Sequence, residues 1–241
     1  MAERELAEIW VYLSASPLTG LTLTLIAYLS AYWLYKRFDF NPLLNPVVIA
    51  VGLMVTLLWL TDTKYQDYFE GAKFVHFLLG PATVALAIPL YSQLSKLRAI
   101  WWQVSLSIVV GVSIASLSAM WIAWMLEASS ETVLTLAPKS VTAPVAMGIS
   151  EKIGGLPSLT AVLVVLTGVL GAVFGTKIFS LLRITDDSVR GIAMGVTSHG
   201  IGTARAFQVS ERMGAFSGLA MALSALATAL LLPWLIPLAT G

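Results

Sequence analysis

Six stretches of this chain contain no Asp, Glu, Lys or Arg: residues 9–35, 41–61, 74–95, 99–126, 153–176 and 213–241. Crossing about 30 Å of hydrocarbon takes roughly 18–20 apolar residues in a helix, and every one of these runs is longer. A backbone in lipid must satisfy its own hydrogen bonds, so such runs fold as helices. Only 11% of the 241 residues are charged and mean hydropathy is +0.85; soluble domains carry roughly 25% charged residues. The sequence therefore predicts an all-α polytopic membrane protein with the lipid bilayer as its solvent. A single membrane domain, 1–241, is expected at this length. The opening MAERELAEIW is net acidic and leads into an apolar run too long for a cleavable signal peptide.

The same counts remove several function classes. A net charge of +1 offers no basic field for a nucleic-acid partner. With no cysteine there are no disulfides, thiolate metal sites or cysteine nucleophiles. Two histidines make no metal cluster. Ser198 and His199 are adjacent, which is not triad geometry, and no intramembrane acid stands ready to orient the imidazole. GIGTAR lacks the preceding strand and the Lys-Ser/Thr of a phosphate loop. Neither enzymatic activity nor a cofactor is expected.

Spanning segments are predicted at about 17–35, 42–60, 74–91, 99–126, 157–182 and 214–240. Two further segments are apolar but interrupted: 132–150 by Lys139, and 188–208 by His199 and Arg205. That makes seven or eight spanning or re-entrant segments. Tryptophan and tyrosine gather near segment ends, as in an interfacial belt. Sliding the chain by 115 residues brings Pro42 onto Pro157, Thr83 onto Ser198 and Ala99 onto Gly214. This predicts two structural repeats, about 17–126 and 131–241, each with a broken third element. If 132–150 dips in and returns, the second repeat is inverted, which is the arrangement we expect. Paired interrupted helices in internal repeats are the sequence pointer to a secondary transporter's binding site.

Three stretches depart from plain membrane helix: LLGPATVALAIPLY (78–91), TLAPKSVTAPVAM (135–147) and GVTSHGIGTARAFQ (195–208). Proline removes a backbone donor and clashes with the preceding turn. The freed N–H groups at a half-helix start attract anions, and Thr83, Ser140, Thr142, Ser198 and Thr203 can donate further hydrogen bonds. Such a site suits a small carboxylate. Lys139 has no acidic partner in its own segment, and a bound anion would supply the countercharge; the alternative is a shallow lysine that snorkels to the headgroups. His199 fits either proton coupling near neutral pH or a hydrogen-bonded packing role. Arg205 fits bidentate carboxylate binding or the end of a segment at the interface. Asn45, beside Pro46, fits either a cavity lining or a helix-to-helix hydrogen bond.

The motifs PLLNP (42–46), PATVALAIPLY (81–91), PKSVTAPVAM (138–147), GGLPSLTAV (154–162), GAVFG (171–175) and SHGIGTARA (198–206) resemble, in order and spacing, the LrgB/CidB family of bacterial inner-membrane proteins. The likeness runs from about residue 40 to the C-terminus. Ala143 stands where many members carry a second threonine, which leaves Ser140 and Thr142 as the hydroxyls there. The resemblance implies a multi-pass protein of the inner membrane and two accounts of its work. In one, it is an antiholin- or holin-like regulator of murein hydrolase activity and cell lysis, acting with an LrgA/CidA-type membrane subunit. In the other, as for the related plastid glycolate/glycerate translocator, it moves small monocarboxylates such as pyruvate, glycolate or glycerate. Three broken, hydroxyl-lined segments around a cation favour transport. A homodimer is the expected assembly.

Overall fold

A computed structural model describes residues 17–78, 81, 85, 91 and 94–240, and these are helical with no strand. The chain forms two compact units, Met1–Val84 and Ala85–Gly241.

In the first unit, α1 (Pro17–Arg37) is followed by a short 3-10 turn (Pro42–Leu44), α2 (Pro46–Leu60) and α3 (Tyr65–Phe77). The two prolines begin their elements because a first turn has no use for the N–H they lack. Each is preceded by an asparagine cap: Leu43 N donates to Asn41 Oδ1 at 3.1 Å, and Val47 N to Asn45 Oδ1 at 2.9 Å. The predicted span 42–60 is therefore a turn plus a helix of 15 residues.

The second unit contains α4 (Leu94–Ala99), α5 (Trp101–Met125), α6 (Ser130–Leu136), α7 (Ala143–Ile153), α8 (Pro157–Leu181), α9 (Asp187–Val209) and α10 (Glu211–Thr240). Four described helices are long and apolar enough to cross a membrane: Leu18–Arg37, Trp101–Met125, Pro157–Leu181 and Glu211–Ile236. These match four of the six predicted spans. The predicted span 74–91 falls largely outside the described residues.

The two interrupted segments double back. Helix α6 has 7 residues and α7 has 11, about 10 and 16 Å at 1.5 Å per residue, so neither alone is long enough to cross the hydrocarbon. Between them Lys139 N donates to Leu136 O at 3.2 Å and Val141 N to Pro138 O at 3.3 Å, closing turns through the break. Helix α7 ends on Gly154, whose φ of 87° is the left-handed conformation that glycine reaches without cost. The chain then returns to its own start: Leu156 N donates to Thr135 Oγ1 at 2.9 Å. Thr160 Oγ1 lies 3.1 Å from Thr135 O and 2.8 Å from Ser150 Oγ. Having one hydrogen, it donates to the carbonyl and accepts from the serine. Residues 130–153 are thus a helical hairpin pinned at its base by buried hydroxyls. Thr160→Val should cost about 1–3 kcal/mol by stranding two buried polar partners, read as a lower midpoint in denaturant unfolding.

Helix α9 would be about 34 Å long if straight, yet Ser210 Oγ donates to Asp187 Oδ2 at 2.7 Å, so its two ends meet. The bend is His199, at φ 39° and ψ −134°, a backbone that a non-glycine residue rarely adopts. Met194 and Ala206 accordingly share one buried cluster with Phe179 and Met213. Glycines let this second hairpin dock: a Cβ on Gly191 would sit 2.4 Å from Met213 O, and one on Gly195 2.2 Å from Ser217 O.

Several element bounds recur at one spacing among the described residues. Helices α5 and α8 have 25 residues each. Trp101 to Pro157, Met125 to Leu181, the positive-φ residues Glu127 to Arg183, and the hairpin ends Ile153 to Val209 are all 56 positions apart. The hairpins lie at opposite ends of α5. Met120 and Ala123 near its end pack with Val133 of the first hairpin, whereas Ile100 and Gln103 at its start share a groove with Asp186 and Ser188 of the second. Of the three pairs predicted at 115 positions, the one with Thr83 lies outside the described residues; Pro42 opens a short turn where Pro157 opens α8, and Ala99 ends α4 where Gly214 lies inside α10.

Candidate functional site

Both hairpin tips reach one cavity of about 500 Å3, whose polar lining is Lys139 and Ser140 from the first tip, Thr197 and Ser198 from the second, and Thr167 from α8. Three of the predicted residues, Lys139, Ser140 and Ser198, are therefore brought together. Lys139 is half-buried and its Nζ lies 3.4 Å from Ser140 Oγ. No carboxylate pairs with it among the described residues. The tip is anchored by Ser116, a buried α5 residue whose hydroxyl donates to Ala137 O at 2.9 Å. Val141 N, the helical donor for this carbonyl, turns to Pro138 O at 3.3 Å instead, so the carbonyl needs an outside donor.

On the other side, Ser198 is fully buried against α8. A Cβ on Gly171 would lie 1.6 Å from Ser198 Oγ, and one on Gly168 2.6 Å from the His199 ring. Glycine at these two α8 positions is what lets the second tip approach. Small residues at an interface are the usual device for close helix contact in lipid.

The remaining predicted residues do other things. His199 turns away from the cavity lining: its Nε2 lies 2.8 Å from Val164 O, and since a carbonyl only accepts, Nε2 carries the proton. Thr203 is buried, donates to His199 O at 2.8 Å and meets Ser217 Oγ at 2.9 Å, fastening the bend to α10. Arg205 donates from Nη1 to the exposed Gln208 Oε1 at 3.0 Å. Thr142 is the N-cap residue of α7 without a side-chain cap bond. None of these four lines the cavity. Asn45 sits in the first unit with its carbonyl oxygen engaged as a cap, and Thr83 is outside the described residues. Thr167 and Thr197 were not singled out by sequence. Thr197 adjoins Ser198, and Thr167 directly precedes the glycine series 168, 171 and 175, which is the signal that marks them.

Four helices long and apolar enough to cross a membrane, with the two hairpins between them, define a helical membrane protein with a groove at the hairpin tips. Over residues 24–238 the chain matches the model of the LrgB-like family, and it belongs to that family. It is 37% identical to the protein YwbG of Bacillus subtilis strain 168, over 91% of this chain and 97% of that one. It is 36% identical to YxaC of the same organism, over 84% and 88%. The antiholin-like protein LrgB of Bacillus mycoides is 31% identical over 92% and 96%. No solved structure matches the chain.

Proposed function

We propose that this chain is a carrier of a small monocarboxylate, of the pyruvate, glycolate or glycerate kind, across the bacterial inner membrane. The observation that carries the reading is Lys139, a cation without an acidic partner among the described residues, in a cavity with the hydroxyls of Ser140, Thr167, Thr197 and Ser198. A lysine in hydrocarbon costs about 2.5–3.5 kcal/mol even on the lenient insertion scale, and a bound carboxylate would offset that. Hairpins at opposite ends of α5, following helices of equal length 56 positions apart, support an inverted repeat. That arrangement suits alternating access, with one hairpin closing the site from each side. His199, at the bend of the second hairpin, is the group able to couple proton movement to the cycle. No chemical step is involved, and the working unit is a homodimer.

The relatives' names favour a second reading more directly. Antiholin-like protein LrgB is the name of the Bacillus mycoides relative. On that reading the chain regulates murein hydrolase activity and cell lysis together with an LrgA/CidA-type subunit, and transports no specific solute. Proteoliposomes separate the two. Saturable uptake of one short carboxylate, with large dyes retained, is expected of the carrier. Leakage of dyes irrespective of solute, or function only with the small partner co-expressed, would favour lysis control.

A further inference from the structure

We infer that this structure is the inward-open member of a transport cycle: Lys139 is walled off from the outer face by the first hairpin and is reached from the cytoplasm along the first limb of the second. As a step of a cycle this rests on the carrier reading above; the sidedness does not depend on it.

Sidedness follows from charge. In the second unit Arg98, Lys177, Arg183, Arg190, Arg205 and Arg212 lie toward the base of the second hairpin. Among the described residues Lys152 alone lies toward the base of the first, beside Glu127, Glu131 and Glu151. Membrane proteins collect Lys and Arg in their cytoplasmic loops. The base of the second hairpin therefore faces the cytoplasm, and that of the first faces outward.

The level of Lys139 is fixed by its neighbours. Ser116, past the midpoint of α5, donates to Ala137 O at 2.9 Å. Val141 packs with Val164, about two turns into α8 from its outer end. From that level the cavity at Lys139 takes in Thr167, Gly171 and Gly175, each nearer the cytoplasmic end of α8, with Met194 of the limb opposite. A second groove, of about 690 Å3, follows the other side of the same limb. It meets the cavity at Ala115, Ala193 and Thr197, which line both, and reaches Ile100, Asp186 and Ser188 at the cytoplasmic base. Outward of the tip the side chains are packed instead. Val141, Ala146 and Val164 form one buried cluster; Val133, Ala137 and Ile149 form another with Met120 and Leu232. An anion leaving Lys139 outward would have to part these clusters, and one leaving inward has open space beside the limb.

The chain has no cysteine, so single cysteines report without background. The probe is the membrane-impermeant anion 2-sulfonatoethyl methanethiosulfonate, applied to the full chain in right-side-out and in inverted membrane vesicles. Thr185→Cys, in the link between α8 and α9, and Thr197→Cys, in the groove, should react only from the cytoplasmic side. Ser130→Cys, at the start of α6, should react only from the outer side. Val110→Cys, exposed on α5 but outside both spaces, should react from neither. Glycolate or pyruvate should slow the reaction of Thr197→Cys and leave Thr185→Cys unaffected. Reaction of Thr185→Cys from outside would overturn the sidedness. Thr197→Cys reacting from the outer side, from neither side, or no faster than Val110→Cys would overturn the inward route while the carboxylate site stands. Reaction of Thr197→Cys from the cytoplasm that no carboxylate slows, with no carboxylate bound by the unsubstituted chain, would overturn the carrier reading and leave the sidedness and the open groove in place.

Discussion

Replacing Lys139 by alanine should reduce carboxylate binding and uptake by more than about thirtyfold, the loss expected when one partner of a desolvated charge pair is removed. Folding should not suffer. Lys139 Nζ has one weak contact, 3.4 Å to Ser140 Oγ, and its removal relieves the cost of placing an ammonium group in hydrocarbon. The expected signature is therefore a melting temperature that is unchanged or raised, together with lost binding. Lys139→Gln, which keeps a donor and removes the charge, should lose nearly as much binding as alanine. Lys139→Arg should restore it only in part, because a planar fork does not occupy the place of a compact ammonium. Unchanged uptake by Lys139→Ala would refute the site.

The second large effect concerns Gly171. A methyl group there would overlap Ser198 Oγ at 1.6 Å and its Cβ at 2.6 Å, and Ser198 is fully buried. Gly171→Ala should cost about 3 kcal/mol, the upper part of the usual range for overpacking, and push the second tip away from α8. Binding and stability should fall together, in contrast to Lys139→Ala. Ser198→Gly removes the colliding side chain, leaving its Cα at 3.7 Å from the new methyl. The double variant should recover most of the lost stability and little of the binding. Additive costs in that cycle, measured by denaturant unfolding, would show that the two residues are not in contact.

Both predictions depend on contacts that the chain's chemistry announces only in part. Helix in lipid follows from uncharged runs of more than 20 residues, because no other structure satisfies the backbone there. The sites of interruption are equally legible: Pro138 and Pro144 cannot sustain a helix, and the predicted break in 188–208 falls at His199. Lys139 and its hydroxyl neighbours stood out because charge is so scarce. The partners of a break are harder to read. His199 and Thr203 belong to the same motif as Ser198, yet they turn to Val164 O and Ser217 rather than to the cavity. Which way a side chain leaves a bend depends on backbone angles that residue type does not specify.

Sequence by itself determined the class of fold, the places where helices fail and the presence of a cation, Lys139, at one of them, since each is a local property of residue chemistry. Tertiary structure alone decided that the broken segments fold back on themselves. Hydrogen bonds between residues far apart in the chain, Thr135 with Thr160 and Asp187 with Ser210, hold those returns. It also decided the 56-position spacing shared by the bounds of α5, α8 and the hairpins that follow them. The spanning helices are apolar all round, so no polar face tells in advance which side of each looks inward. Only the packing of glycine against serine and histidine settles it.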